Sequence, residues 1–254
     1  MSNADPTPRR KPSGRVPFSV VEDARRRALA DEVGPEVPEP AAAVRNPVLL
    51  AHERDGWKRL SDECSSALAL MGGPTALGVT SCLRGEGRTT VALATGLAQS
   101  RNFGRRTICL DFDLEKPSLA KMLGVKGSLG VAEVIRGELP LKSCIQWVSK
   151  DLGVLGAGTV GRNAPREASR LIESRLMEEI QEHCETVVVD LPPFVGAGVS
   201  LARLCPTVVM VVRAGAVSLD QVRRAAAELN HPPVILNGAD SAGPGWIRNL
   251  TRGR

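Results

Sequence analysis

From Thr75 onward, short apolar runs alternate with segments whose apolar residues recur every three or four positions. The runs at 76–81, 107–111, 152–155, 186–191, 207–212 and 234–237 are rich in Val, Ile and Leu. Several are nearly continuous in hydrophobicity, the pattern of strands buried on both faces. Between and after them the spacing predicts helices over 89–101, 119–123, 131–136, 165–182, 196–204 and 219–229. Strand and helix in alternation predict an α/β fold, a mostly parallel sheet with helices on both faces. In such sheets ligands bind beyond the carboxyl ends of the strands.

Upstream the pattern is lost. Residues 1–47 carry eight prolines and few apolar side chains, too little to offset the entropy of ordering, so a disordered tail is expected there. Within it, 20–30 reads as a short helix, and a second helical stretch, 46–70, leads into the core. The expected organisation is thus a tail at 1–47, one domain at 48–240 and a basic C-terminal tail at 241–254. No internal repeat is visible.

Composition changes this picture in three places. No apolar run approaches the ~20 residues of a membrane span, and the N-terminus is unlike a signal peptide, so a cytoplasmic protein is expected, with any membrane association made through a partner. The net charge of +5 reads as a solvated surface, or as contact with an acidic partner or nucleotide; no nucleic-acid partner is expected. The six cysteines lie far apart without metal-like spacing, as expected of reduced thiols. The chain contains no tyrosine.

The chemistry concentrates after the first strand. The segment Gly78-Val-Thr-Ser-Cys-Leu-Arg84-Gly85-Glu86-Gly87-Arg88-Thr89-Thr90 runs from strand through a glycine-rich turn into a helix. That order presents bare backbone N–H groups at a helix N-terminus, where they can wrap phosphate oxygens. Thr89 stands where a phosphate-binding loop places the hydroxyl that reaches Mg²⁺. The residue expected before it is lysine; here it is Arg88. The second strand ends in Asp111-Phe-Asp113, two carboxylates that point the same way if the pleat continues. The fourth candidate strand, counted from the first, ends in Asp190-Leu-Pro-Pro193. Mg²⁺ binds nucleotide phosphates through one or two carboxylates, a hydroxyl and waters, so Thr89, Asp111, Asp113 and Asp190 form a candidate set. Strand-end aspartates acting only as helix caps are the alternative.

In order, T-S-C-L-R-G-E-G-R-T, D-F-D-L-E-K-P-S-L and D-L-P-P resemble the three motifs of the bacterial tyrosine kinases of capsule and exopolysaccharide synthesis, P-loop proteins related to the septum-site and partition ATPases. Gly127 to Gly137, and Leu152 to Gly158 followed by Asn163-Ala-Pro165, look like two further family segments. The similarity spans about 55–237. It implies a P-loop NTPase fold, with ATP and Mg²⁺ as possible cofactors. Nucleotide would be held by Arg84, Gly85, Glu86, Gly87, Arg88, Thr89 and Thr90. Arg88, Asp111, Asp113 and Asp190 would stand at the catalytic positions, with Thr89 and the three aspartates on the metal. It also implies a chain-length-determinant-like inner-membrane protein as partner, with self-association left open.

Three departures shape the expectation. Arg88 replaces the family's lysine, and a planar fork is no substitute for a point charge. The tail ends Trp246-Ile-Arg-Asn-Leu-Thr-Arg-Gly-Arg254 without the usual tyrosine cluster. The E-x-x-R-x-x-R oligomerisation motif survives only as Asp55-Gly-Trp-Lys58-Arg-Leu-Ser61. A catalytically weak or inactive, pseudokinase-like regulator of polysaccharide export follows, for capsule, exopolysaccharide or holdfast. The alternatives are an active partition-type ATPase that positions a membrane partner, and a kinase acting on a separate substrate. Asn237 reads either as a base contact or as a strand-end turn residue.

Overall fold

A computed structural model describes residues 55–160, 163–194 and 198–238. The expected tails at 1–47 and 241–254, the short helix at 20–30 and the start of the helix expected from 46 lie outside them.

Helix α1 (Asp55–Leu70) precedes strand β1 (Ala76–Ser81), and α2 (Arg88–Leu97) passes directly into a π-turn, Ala98–Asn102. Then come β2 (Thr107–Asp111), α3 (Leu119–Leu123), α4 (Val131–Ile135), α5 (Leu141–Cys144), β3 (Gln146–Trp147) and β4 (Leu152–Leu155). The remainder is α6 (Ala164–Glu173), α7 (Leu176–Gln181), β5 (Thr186–Asp190), α8 (Val199–Ala202), β6 (Thr207–Arg213), α9 (Leu219–Glu228) and β7 (Val234–Asn237). The seven strands form one sheet in the order β3-β4-β2-β5-β1-β6-β7. All neighbours are parallel except the β3–β4 pair at the edge.

Strand alternation divides the core into two faces. Leu77, Val79, Cys109, Val188, Val209 and Val211 pack with Cys64 and Leu68 of α1, Val91 to Ala98 of α2 and its extension, and Leu119 and Leu123 of α3. Ala76, Ile108, Leu110, Val187 and Val189 face the other way, against Val131 of α4, Leu171 of α6, Ile180 of α7 and Leu201 of α8. Met210 and Val212 continue that second face beneath Ala225 of α9. Buried on both sides, β1, β2, β4 and β5 have no exposed residue, which is why their sequences read as unbroken apolar runs.

Several boundaries differ from expectation. The single helix expected over 165–182 is two, broken at Ser174, whose backbone turns extended (ψ 163°) while its Oγ donates to Leu171 O at 2.7 Å. A serine hydroxyl that bonds the preceding carbonyls offers the chain a local alternative to the helix. The helix expected over 196–204 is described only as Val199–Ala202, with residues 195–197 outside the described set. Strand β3 and helix α5, two and four residues long, were not anticipated, being too short to leave a periodicity. Trp147 of β3 supports Arg106, whose guanidinium lies 4.3 Å from the ring centroid.

Candidate functional site

The loop between β1 and α2 is shaped by two glycines in the left-handed region, Gly85 at φ 81° and Gly87 at φ 92°. At Gly87 a side chain is excluded twice, by the backbone angle and because a Cβ would collide with the amide of Asn237. Asn237 Nδ2 in turn donates to the carbonyl of Glu86 at 2.7 Å, tying the end of β7 to the loop. The Glu86 carboxylate, 1% exposed, accepts from Leu83 N at 2.6 Å and from Arg213 N at 2.9 Å. Glu86 therefore braces the loop against β6; what it can offer a phosphate is its backbone N–H. The first N–H groups of α2 have no intrahelical acceptor, and they leave the loop with the dipole and donors of an anion site.

The acids converge through strand order. Because β5 lies between β1 and β2, Asp190 stands in register with Asp111 on one side and Val79 on the other. Asp111, Asp113 and Asp190 are all fully buried, yet they face different partners. Strand β2 ends at Asp111, so the pleat does not carry on to Asp113 and the two side chains diverge. Asp111 Oδ1 accepts from Asp113 N at 3.1 Å, and its Oδ2 from Ser118 N and Leu119 N at 2.9 Å each. It fastens the start of α3 to the sheet, the helix-capping alternative raised above. Burial, and then the charge of Asp190, push its pKa up to about 7, against the pull of those N–H groups.

Asp113 and Asp190 face arginine. Arg88 donates from Nη2 to Asp113 Oδ2 at 2.7 Å and from Nε to Asp190 Oδ1 at 2.8 Å, and it is 8% exposed. Arg84 reaches Asp113 from the solvent side, with Nη1 2.6 Å from Oδ2 and Nη2 3.3 Å from Oδ1, and its Nη2 also bonds Glu115 at 2.9 Å. The hydrogen bond to Asp113 holds the Arg84 pKa above its ordinary value. Thr89 Oγ1 lies 2.7 Å from Asp190 Oδ2 and 2.9 Å from Ser118 Oγ. Asp190 is raised by burial, with Arg88 and Thr89 opposing.

These residues do not fit a divalent cation as they stand. The guanidinium of Arg88 bridges Asp113 and Asp190, so the space a cation would need between these two acids is filled, and Asp111 is turned to the backbone N–H groups of Asp113, Ser118 and Leu119. Among the described residues no cluster of three or more His, Cys, Asp or Glu could hold a metal ion.

All the loop and acid residues singled out in the sequence therefore meet at one end of the sheet. Arg84, Arg88, Thr89, Asp113 and Asp190 form one connected network, to which Asp111 is joined through the backbone N–H of Asp113. Gly85, Gly87 and Thr90 shape the loop and the first turn of α2. Asn237 sits at the strand end, one of the two places read for it, and its amide nitrogen holds the loop. Sequence reasoning missed Glu115 and Ser118. Both lie inside the D-F-D-L-E-K-P-S-L segment quoted above, which was the available signal.

No protein-family model matches the chain. It is 27% identical over 160 residues to the tyrosine-protein kinase YwqD of Bacillus subtilis, covering 59% of this chain and 65% of that protein. It spans only 21% to 23% of the Escherichia coli, Erwinia amylovora and Acinetobacter johnsonii kinases that it also matches. Among solved structures it resembles the kinase domain of VpsO with a TM-score of 0.64 and 28% identity, over 72% of this chain and 94% of that one. The septum-site-determining protein MinD of Pyrococcus horikoshii, complexed with Mg-ADP, shares the fold, with a TM-score of 0.54 at 17% identity over 69% of this chain and 76% of that one. The sheet and helices described above thus have the P-loop-type fold of these kinase domains and of MinD.

Proposed function

We propose that this chain, similar in sequence and fold to bacterial tyrosine-protein kinases, is a kinase-like regulator of a polysaccharide synthesis and export machine that acts by docking and not by phosphoryl transfer. The observation that carries this reading is Arg88. In a transferring site the loop cation and the acids must be available to phosphate, because catalysis there is almost wholly positioning and electrostatic stabilisation. Here the cation and the acids satisfy one another: Arg88 is paired to Asp113 and Asp190, and the Thr89 hydroxyl is bonded to Asp190. The absence of tyrosine supports the same reading, since the chain supplies no acceptor for self-phosphorylation on that residue.

The partner we propose is the cytoplasmic face of a chain-length-determinant-like inner-membrane protein. No helix among the described residues is long and apolar enough to cross a membrane; in this proposal the contact with the membrane runs through that partner.

Complementation tests the proposal. A deletion strain carrying Thr89→Ala, at protein levels matched to wild type, should recover cell-surface polysaccharide. Thr89 is the probe because any metal and phosphate chemistry at this loop would call on its hydroxyl, whereas Asp113 is tied into the packing of two arginines. If Thr89→Ala is as defective as the deletion, docking does not suffice and nucleotide chemistry is essential. ATP hydrolysis by the purified protein would then select the partition-type ATPase; phosphorylation of a co-purified protein would select the kinase with a separate substrate.

A further inference from the structure

We propose that Arg84 and Arg88 are tethered replacements for a divalent cation, so that the acid cluster at this loop is neutralised from within and excludes Mg²⁺. The inference rests on the reading that the site does not transfer phosphate, and it says what took the place of the metal.

Geometry carries the first part. A cation bridging Asp113 and Asp190 would have to lie where the guanidinium of Arg88 lies, with Nη2 2.7 Å from one carboxylate and Nε 2.8 Å from the other. Mg²⁺ requires about six oxygens at roughly 2.0–2.1 Å in a near-octahedral shell and gives up its waters reluctantly. The other oxygens of the two acids are also hydrogen-bonded, which holds both carboxylates turned toward the guanidinium rather than toward a common centre. Asp190 Oδ2 lies 2.7 Å from Thr89 Oγ1, and Asp113 Oδ1 takes Lys116 N and Arg84 Nη2 at 3.1 and 3.3 Å.

Charge carries the second part. Arg88, buried between Asp113 and Asp190, supplies a positive charge between those two acids, and Arg84 adds a second at the solvent edge, where it also meets Glu115; a dication placed between the acids would lie against a buried guanidinium. Arginine also cannot vacate the site by losing its proton, as a buried lysine can. The two arginines divide the task by depth. Arg88, 8% exposed, sits between the acids; Arg84, 34% exposed, spans Asp113 and Glu115 above them. An ion approaching from solvent meets the guanidinium of Arg84 before it meets Asp113 or Asp190, with Glu115, 61% exposed, outside that guard.

Mn²⁺ serves as the probe, with the free ion followed by its electron paramagnetic resonance signal in the presence of the untagged full chain. The wild-type protein should leave the signal unchanged, and Arg88→Lys should do the same while one acid stays paired. The double variant Arg84→Gln/Arg88→Gln exposes unpaired acids and should take up about one equivalent of Mn²⁺, with a melting temperature that rises in its presence. Adding Asp113→Asn to that pair should abolish the uptake. One tightly held equivalent on the wild-type protein overturns the proposal, and so does a folded double variant that takes up none. Should the double variant fail to fold, the wild-type titration decides. Metal uptake and polysaccharide recovery are separate readouts, so this inference and the docking function can fail independently.

Discussion

Replacing Asp113 by alanine should destabilise the protein by about 3 kcal/mol. Asp113 is fully buried and accepts from Arg88 Nη2 at 2.7 Å, from Arg84 Nη1 at 2.6 Å and from Lys116 N at 3.1 Å. Removing it leaves Arg88 with a single partner, Asp190, while still buried. Breaking one side of a buried ion pair costs about 3–5 kcal/mol, and the retained bond to Asp190 places this case at the lower end. The share of Arg84 is smaller, because that side chain is 34% exposed and keeps Glu115. A cluster of carboxylates awaiting a metal would behave in the opposite way, since deleting one acid in metal-free buffer relieves repulsion among the rest. The assay is urea unfolding in EDTA, followed by far-ultraviolet circular dichroism. With a slope of about 2–3 kcal/mol/M, the midpoint should fall by about 1–1.5 M. A midpoint that stays put or rises would show that Asp113 is not held by arginine, and the self-satisfied site would be wrong.

Other outcomes follow from the same network. Arg84→Ala should cost less than about 1 kcal/mol in the same assay, given its exposure; a loss equal to that of Asp113→Ala would make Arg84 the principal partner. Arg88→Lys cannot bridge both acids, so calorimetric titration should show about tenfold tighter Mg-ATP binding than wild type; equal affinity would make the arginine a neutral replacement. Asp111, with its folded pKa raised to about 7 from 3.8, holds its proton more tightly when folded, so its contribution to stability is full below about pH 4 and is lost as the pH rises through about 7. Asp111→Asn should therefore compare better with wild type at pH 8 than at pH 5.5 in urea midpoint; the same difference at both values refutes this. Gly87→Ala should cost about 1–3 kcal/mol from its left-handed φ and its contact with Asn237, and an unchanged midpoint would count against the loop geometry.

The chain's local pattern determined its elements and its loop. Strands buried on both faces must be apolar throughout, so 76–81, 107–111 and 152–155 were readable to the residue. A left-handed turn before a helix must be glycine, so Gly85 and Gly87 announced the phosphate-type loop. The helix break at Ser174 was not readable, because one hydroxyl bonding backward leaves no trace in the apolar spacing around it. Nor was the parting of Asp111 from Asp113, which depends on where β2 stops. Above all, the sequence displayed Arg88 as a substitution but not as a buried bridge. Its partners lie 25 and 102 residues away and come together because β5 inserts between β1 and β2. Strand order is decided by how whole helices and sheet faces pack, not by the spacing of residues along one segment. Whether a charged side chain awaits a ligand or already has its partner is therefore settled only in the folded chain.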